Sequence, residues 1–367
     1  MIDPRMEKLA DILVNYCIAV KPGDWVRVQA DVLALPMAYE VQRLILQAGG
    51  HPSVHLSADQ LEESFLREAS AEQLTWIAPT EPVLNEQIAA SIRIAATSNT
   101  RALTGLDSNQ PRLFQNARRD MRNAYMQRAA AGKLRWVVTQ YPCPAYAQEA
   151  DMSMHEYENF VYAATFADQP DPVACWRDVH NRQQRLVDWL KGKKQIVARG
   201  PNIDMTVSID GRTFINSDGR RNMPSGEIFT GPVEDSATGW VKFSYPAIRG
   251  GQSVEGVEFE FAAGKVVQAR ASKNEAYLLS QLDSDVGARF LGEFAVGTNY
   301  GIQRFTKSIL YDEKIGGTLH MAVGAGYPET GSVNESSVHW DFICDMRQDS
   351  EILVDGELFY KNGQFQV

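Results

Sequence analysis

The sequence predicts an α/β N-terminal domain with a mainly parallel sheet, followed by a β-rich (α+β) C-terminal domain. In the first half, short apolar strands alternate with helical segments, which is the pattern of crossover connections between parallel strands. From residue 193 onwards the chain changes to short β-like runs that are broken by Gly, Asp and Asn. We therefore expect two domains, formed by residues 1–192 and 193–367.

Periodicity and turn residues predict the elements of the first domain in order. A helix over 9–16 is followed by a Lys-Pro-Gly-Asp turn, and the helix over 37–47 is expected to end at Gly49-Gly50. Strands are predicted at 25–29, 53–56, 91–96 and 134–139, and further helices at 60–76, 110–131, 153–167 and 172–191. No glycine-rich nucleotide-binding motif follows any of these strands, so we expect this half to be architectural or to frame a substrate.

The second domain is predicted to contain one helix among many short strands. The strands are expected at 196–198, 205–209, 213–215, 241–245, 257–262 and 265–271. The helix is expected over 274–290, with an apolar stripe made of Ala276, Leu279, Leu282, Val286 and Phe290.

Composition limits the classes of function. Of 367 residues, 44% are apolar and 22% are charged, as in an ordinary globular protein, and no apolar run is long enough to cross a membrane. The net charge of −10 disfavours nucleic acid as a partner. The four cysteines are scattered, which argues against a sulfur-ligated zinc site and a disulfide framework. The first residues lack the pattern of a secretory signal, so a cytoplasmic location is expected.

Two predicted strands near the C-terminus carry histidines with ligand-like neighbours. In the strand over 337–344, alternation places His339 and Asp341 on one face and apolar side chains on the other. In the strand over 317–324, His320 shares its face with the small residues Ala322 and Gly324, which would leave room for an ion. Either histidine alone is more often a packing residue, so the hypothesis of a metal site depends on nearby carboxylates.

Three glutamates could complete such a site. Glu227 follows a Pro-Ser-Gly turn, Glu313 precedes His320 by seven residues, and Glu293 lies among apolar neighbours. A buried carboxylate needs a compensating charge. For Glu293 that charge could be a cation, or equally a guanidinium from Arg289 or Arg304.

The other four histidines are weaker candidates. His51 and His55 flank a predicted strand but have no acidic partner at a useful spacing. His155 and His180 lie in helical segments and are expected to be surface or packing residues. The basic cluster over 112–122 is similarly expected to be a solvated helix face.

Four motifs in order give the chain a family resemblance. They are N-M-P-S-G-E at 222–227, L-G-E-F-A-V-G-T-N at 291–299, D-E-K-I-G-G-T-L-H at 312–320 and H-W-D at 339–341. Together with similar stretches at 20–23, 136–142 and 148–153, they resemble the dinuclear metallo-aminopeptidases of the aminopeptidase T, aminopeptidase S and aminopeptidase II group. The resemblance covers essentially the full length of the chain.

The resemblance implies two divalent metal ions, peptide substrates with a free N-terminus, removal of N-terminal residues, and a homodimer. Carried over position by position, it implies the metal ligands Glu227, Glu293, His320, His339 and Asp341, with Glu313 at a spacing that varies within the family, and Tyr327 as a catalytic side chain. Oxygen and imidazole ligands suit zinc, cobalt or manganese.

A mechanism follows as an expectation. Glu293 would bridge the ions, Glu227 would act as a ligand or as the base, and Tyr327 would donate a hydrogen bond to the developing oxyanion. Two alternatives stay open at this point. The protein could be a dinuclear hydrolase of another amide, such as a dipeptidase or deacylase, or a non-catalytic binding protein that metal stabilises.

Overall fold

A computed structural model describes residues 3–106 and 109–367. The chain forms two compact units. The first contains the described residues up to Val173 together with Gly219–Pro224, and the second contains Ala174–Asp218 and Ser225–Val367. The long helix over Pro172–Leu190 thus belongs almost entirely to the second unit. The division into two folding domains between residues 192 and 193 stays a prediction.

Strands are numbered along the chain. They are β1 Trp25–Asp31, β2 His51–Ser57, β3 Ala90–Ala95, β4 Arg135–Gln140, β5 Gln195–Gly200, β6 Ile203–Ser208, β7 Ile215–Ser217, β8 Asn222–Met223, β9 Glu227–Thr230, β10 Thr238–Lys242, β11 Ala247–Arg249, β12 Gln252–Val254, β13 Glu258–Ala262, β14 Lys265–Arg270, β15 Leu291–Gly297, β16 Thr318–Gly324, β17 His339–Asp345, β18 Glu351–Val354, β19 Glu357–Lys361 and β20 Gln364–Phe365.

The helices are α1 Pro4–Asp11, α2 Leu35–Gln47, α3 Asp59–Glu68, α4 Ala71–Thr75, α5 Thr80–Gln87, α6 Asn109–Ala117, α7 Arg119–Ala130, α8 Pro144–Glu149, α9 Met154–Ala164, α10 Pro172–Leu190, α11 Glu275–Leu282 and α12 Ile309–Asp312. A π-helical turn, Ile12–Cys17, continues α1, and short 3₁₀ helices occupy Val32–Ala34 and Pro328–Thr330.

The first unit contains a five-stranded sheet with the order β2-β1-β3-β4-β8. Every neighbouring pair in this sheet is parallel, as expected for strands joined by crossover helices. Val26 and Val28 of β1 and Ile92 of β3 are fully buried, as in a sheet covered on its faces. This confirms the predicted α/β half with a mainly parallel sheet.

The second unit is rich in antiparallel strands, which confirms the predicted β-rich half. An eight-stranded sheet has the order β14-β13-β10-β6-β5-β18-β19-β20, and a five-stranded sheet has the order β17-β16-β15-β9-β7. One hydrophobic core contains buried residues of both sheets, among them Phe259 from β13, Phe294 from β15 and Phe342 from β17. The five-stranded sheet of this second unit carries five of the six residues that were predicted as metal ligands.

The predicted helix over 274–290 is wrong in its length. α11 ends at Leu282, and Asp283 caps it. Asp285 then accepts hydrogen bonds from the backbone N–H groups of Gly287 and Ser337, so its side chain holds a loop instead of a helical turn. Val286, which was expected in the apolar stripe, is exposed.

The segment predicted as one helix over 60–76 is also divided. α3 ends at Glu68, and Ser70 then begins α4 with a capping box whose second member is Gln73. The reciprocal side-chain hydrogen bonds of Ser70 and Gln73 favour a new helix N-terminus at this point. The sequence signature Ser-x-x-Gln therefore marks the start of α4.

Candidate metal centre

In the five-stranded sheet of the second unit, four neighbouring strands bring five of the six predicted ligands onto one face, whereas Glu313 follows the short helix α12. Strand register places Glu293 of β15 opposite Ala322 of β16, and Ala322 in turn opposite Asp341 of β17. His320 lies two residues before Ala322 on the same strand, and Glu227 begins β9 on the other side of β15. The small side chain of Ala322 therefore lies between two carboxylates and leaves space between them.

The opposite face of the same strands is apolar. Leu319, Met321 and Val323 of β16 and Trp340 and Phe342 of β17 are all buried in the core of the second unit. This confirms the predicted alternation in both strands. Because the apolar face fixes the register, it also fixes which way the histidines and carboxylates point.

The ligand-type side chains lie within a few ångströms of one another. The Nε2 atom of His320 is 3.3 Å from Glu293 Oε1 and 3.3 Å from Glu227 Oε2. The Nε2 atom of His339 is 3.4 Å from Glu293 Oε2 and 3.7 Å from Asp341 Oδ1. Glu293 thus faces one histidine with each of its two oxygens.

Three overlapping groups of these residues have the spacing of metal ligands. They are Glu227 with Glu293 and His320, Glu293 with His339 and Asp341, and Glu313 with His320 and Asp341, and in each group the ligand atoms all lie within 4.8 Å of one another. Glu293, His320 and Asp341 each belong to two of the three groups. The six residues predicted as metal ligands are all included.

Sequence reasoning missed Lys314. Its side chain is only 1% exposed, and its Nζ atom lies 2.8 Å from Glu227 Oε1 and also contacts Glu313 Oε1. A buried ammonium is costly unless it is paired, and here it is paired with two carboxylates. The available signal was a lysine between Glu313 and a run of apolar and glycine residues.

A glycine allows the Lys314 segment to approach the sheet. A Cβ atom on Gly297 of β15 would lie 2.1 Å from the carbonyl oxygen of Ile315, so only glycine fits at this position. The backbone is then fixed by Asn299, whose N–H donates to Lys314 O and whose carbonyl accepts from the Gly316 N–H. The close approach places Lys314 beside Glu227.

Burial and mutual charge set the protonation of the site. Burial opposes the charge of His320, but its hydrogen bond to Glu293 and the charges of Glu227 and Glu293 outweigh burial and raise the pKa of His320 to about 9. Burial raises the pKa of the Glu313 carboxyl, although Lys314 acts in the opposite direction. Glu227 and Glu313 in turn hold the pKa of Lys314 above its usual value despite burial.

Tyr327 lies next to this cluster. Its ring centroid is 5.2 Å from that of His339 and 5.3 Å from that of Phe229. Burial, and then the charges of Glu293 and Asp341, raise the pKa of the Tyr327 phenol well above its usual range. The hydroxyl therefore stays protonated and can act as a hydrogen-bond donor.

The arrangement of buried atoms fits a bound cation. The Nδ1 of His339 lies 2.7 Å from the Ala325 carbonyl oxygen, which can only accept, so Nδ1 carries the proton and Nε2 is available as a ligand. The Oε2 atom of Glu227 is buried and makes no hydrogen bond. Four carboxylates and two imidazoles, without sulfur, form a donor set that suits divalent ions.

The remaining histidines lie elsewhere. His51 and His55 are exposed on β2, and His155 contacts Asn159 in α9. His180 of α10 lies 2.8 Å from Asp218. Within residues 3–106 and 109–367, none of these four belongs to a group with the spacing of metal ligands.

Arg289, one of the two arginines considered as partners for Glu293, has other partners. The Nε atom of Arg289 donates to Asp283, and its Nη1 atom donates to the carbonyl of Val266. Arg289 is thus engaged away from Glu293, whereas a guanidinium from Arg304 and a cation held with the histidines stay predictions for Glu293.

Comparisons with known proteins identify the family of the chain. The model of the thermophilic metalloprotease (M29) family matches residues 2–365. Aminopeptidase 2 of Geobacillus stearothermophilus is 27% identical, over 96% of this chain and 94% of that protein. Aminopeptidase T of Thermus thermophilus is also 27% identical, over 98% of this chain and 95% of that protein.

A solved structure confirms the fold. Wild-type AmpT from Thermus thermophilus superimposes with a TM-score of 0.87 at 23% identity, over 99% of each chain. In the part of the chain that the structure describes, no helix is both long and apolar enough to cross a membrane. A family match over nearly every residue and a cluster of buried and half-buried carboxylates and histidines lead to one conclusion: the chain belongs to the thermophilic metalloprotease (M29) family and is a peptidase.

Proposed function

We propose that the protein is an aminopeptidase that uses two divalent metal ions to remove N-terminal residues from peptides. The observation that carries this proposal is the overlap of the ligand groups, in which Glu293, His320 and Asp341 are each shared. The names of the relatives, Aminopeptidase 2 and Aminopeptidase T, support the choice of peptide N-termini as the substrate.

The groups divide naturally into two ion sites. Glu227, Glu293 and His320 would hold one ion, and Glu293, His339 and Asp341 would hold the other. Glu293 is common to both groups and faces a different histidine with each oxygen, which supports a bridging role. Two such ions, when bound, would lower the pKa of an attacking water and polarise the scissile carbonyl.

Glu313 is the carboxylate left over when these two sites are filled. It belongs only to the third group, whose other members, His320 and Asp341, are already used. We therefore assign to Glu313 the transfer of the water proton to the leaving amine. Glu227 is assigned as a ligand, because Lys314 occupies its Oε1 atom while Oε2 faces His320.

Tyr327 would stabilise the charge that develops on the carbonyl oxygen. Its phenol stays protonated and its ring lies against that of His339, beside the proposed second site. A donor placed before the reaction starts stabilises the transition state without reorganisation, typically by about 2.7–4 kcal/mol.

The proposal is tested by metal removal and by a panel of substrates. The purified protein is expected to contain two equivalents of divalent metal, to lose activity with a chelator and to regain it with zinc, cobalt or manganese. Free-amine aminoacyl anilides should be hydrolysed, whereas their N-acetyl forms should not. Equal turnover of both forms would indicate a hydrolase of other amides. Recovery of melting temperature without any turnover would indicate a metal-stabilised binding protein.

Two further expectations belong to the same proposal. We expect a homodimer, which light scattering on the purified protein measures directly. We also expect a cytoplasmic enzyme, which fractionation of the producing cells tests. The physiological ion is the one that metal analysis finds in protein purified without added metal.

A further inference from the structure

A cavity of about 200 Å³ lies beside Asp341 in the second unit. Its apolar lining consists of Pro246, Ala247, Ile248, Phe305, Ile309 and Ile343. Its polar lining consists of Lys307, Asp312 and Asp341, and Asp341 belongs to two of the three ligand groups. The cavity and the proposed metal centre therefore share a residue.

Strand β17 connects the two features. His339, Asp341 and Ile343 alternate along this strand and so point to the same side of the sheet. The first two are proposed ligands, and the third lines the cavity about 7 Å further along, at two residues of rise. A substrate held at the ligands would thus reach apolar surface within the length of one side chain.

One wall of the cavity is tied to β17. The Ser244 N–H donates to the Ile343 carbonyl at 2.9 Å, and the Nη1 atom of Arg249 donates to the His339 carbonyl at 2.7 Å. These bonds flank the segment that carries the lining residues Pro246, Ala247 and Ile248. The wall is therefore fixed relative to the ligands.

A ring stack and two hydrogen bonds fix the opposite wall of the cavity. Phe305 stacks on Tyr245 with ring centroids 4.8 Å apart. The backbone N–H and the hydroxyl of Thr306 both donate to Oδ1 of the buried Asp312, at 2.7 and 2.8 Å. Asp312 is the last residue of α12, the short helix that also contributes Ile309. The cavity is thus preformed.

We propose that this cavity receives the side chain of the first residue of the peptide and selects aliphatic and aromatic residues. The inference rests on the proposed aminopeptidase function. An apolar cavity of about 150 Å³ accepts benzene, so about 200 Å³ accepts the side chain of leucine, methionine or phenylalanine.

The substrate series has a clear expected order. Leucine, methionine and phenylalanine anilides should exceed the alanine anilide in kcat/KM by at least about tenfold, because added methylene groups enter an apolar pocket. The same order should appear in the dissociation constants of the free amino acids, measured by calorimetry with the metal-loaded enzyme.

Ile309 provides the test, because it lines the cavity and is nevertheless 48% exposed, so a larger side chain can be accommodated without unfolding. Ile309→Trp should reduce the ratio of leucine to alanine kcat/KM at least about tenfold and leave the alanine value within about threefold. The matched control is Val267→Trp on β14, a similarly exposed position that does not line the cavity. The control should leave the ratio unchanged.

The outcomes separate this inference from the proposed function. If the wild-type protein hydrolyses no free-amine substrate, the proposed function fails. If it hydrolyses them but Ile309→Trp lowers leucine and alanine turnover equally, or leaves both unchanged, the cavity is not the specificity pocket. A selective loss for leucine, in both kcat/KM and leucine binding, supports it.

Discussion

The Nζ atom of Lys314 lies 2.8 Å from Oε1 of Glu227, and both side chains are almost fully buried. The same ammonium contacts Glu313. A single lysine therefore links a proposed metal ligand to the proposed proton carrier. Its positive charge partly compensates a cluster of four carboxylates, which divalent ions would compensate further.

Replacing Lys314 should make the thermal stability of the protein depend more strongly on bound metal. Lys314→Met leaves two buried carboxylates without their cation, which should cost about 3–5 kcal/mol in the metal-free protein. Bound divalent ions supply positive charge to the same cluster, so the loss should be smaller in the loaded protein. Melting temperatures measured with and without metal test this.

A surface lysine gives the matched control. Lys191 is 71% exposed and pairs with Asp188 within the same turn of chain. Lys191→Met should leave the melting temperature nearly unchanged in both states. If the metal-free Lys314→Met and Lys191→Met proteins had the same melting temperature, Lys314 would not be the counter-charge of the site.

Removing the hydroxyl of Tyr327 should slow turnover without affecting metal. Tyr327→Phe is expected to lower kcat about a hundredfold, because one donor to the developing oxyanion is lost. Metal content, measured by elemental analysis, should equal that of the wild type. Tyr162→Phe, whose ring lies against the Arg5 guanidinium in the first unit, should turn over normally. Normal turnover of Tyr327→Phe would exclude the phenol from the mechanism.

Two glutamate variants should separate metal binding from proton transfer. Glu293 belongs to two ligand groups and Glu313 to one. Glu293→Gln should therefore lose most of both ions, whereas Glu313→Gln should keep them and lose kcat by at least about a hundredfold. Elemental analysis and steady-state kinetics on the same preparations measure both effects. Equal metal loss in the two variants would contradict the assigned roles.

Metal binding should depend on pH through His320. Its folded pKa of about 9 lies above the ordinary value of 6.5, so its protonation stabilises the metal-free protein fully below about pH 6.5, and this stability is lost as the pH rises through about 9. A ligand histidine must be neutral, so an ion displaces the proton. Apparent metal affinity should rise with pH up to about 9.

Calorimetry of metal binding in buffers of different ionisation enthalpy measures how many protons the protein releases. We expect about one proton released from His320 for each protein loaded at pH 7.5. His320→Asn should release one proton fewer than the wild type at the same pH. An unchanged proton count in that variant would mean that His320 is already neutral before the ion binds.

Local sequence patterns were sufficient to predict two strands of the candidate metal centre. Alternation along 317–324 and 337–344 predicted which side chains face the core, and the structure confirms both strands. This worked because both strands have one buried apolar face, and a shift of one residue would expose it. The helix predicted over 274–290 was too long, because Asp285 holds the second half of this segment in a loop. Its hydrogen-bond partner Ser337 is more than fifty residues away in the sequence.

Sequence by itself determined the family and the two kinds of sheet and predicted the candidate ligands, since motifs and strand periodicity are local properties of the chain. Only the tertiary structure decided that Glu293 faces both histidines, that Lys314 is buried between Glu227 and Glu313, and that an apolar cavity adjoins Asp341. Such relationships depend on strand register and on the close approach of segments that are distant in the chain. The physical reason is that packing of the whole unit, not any single segment, fixes these distances.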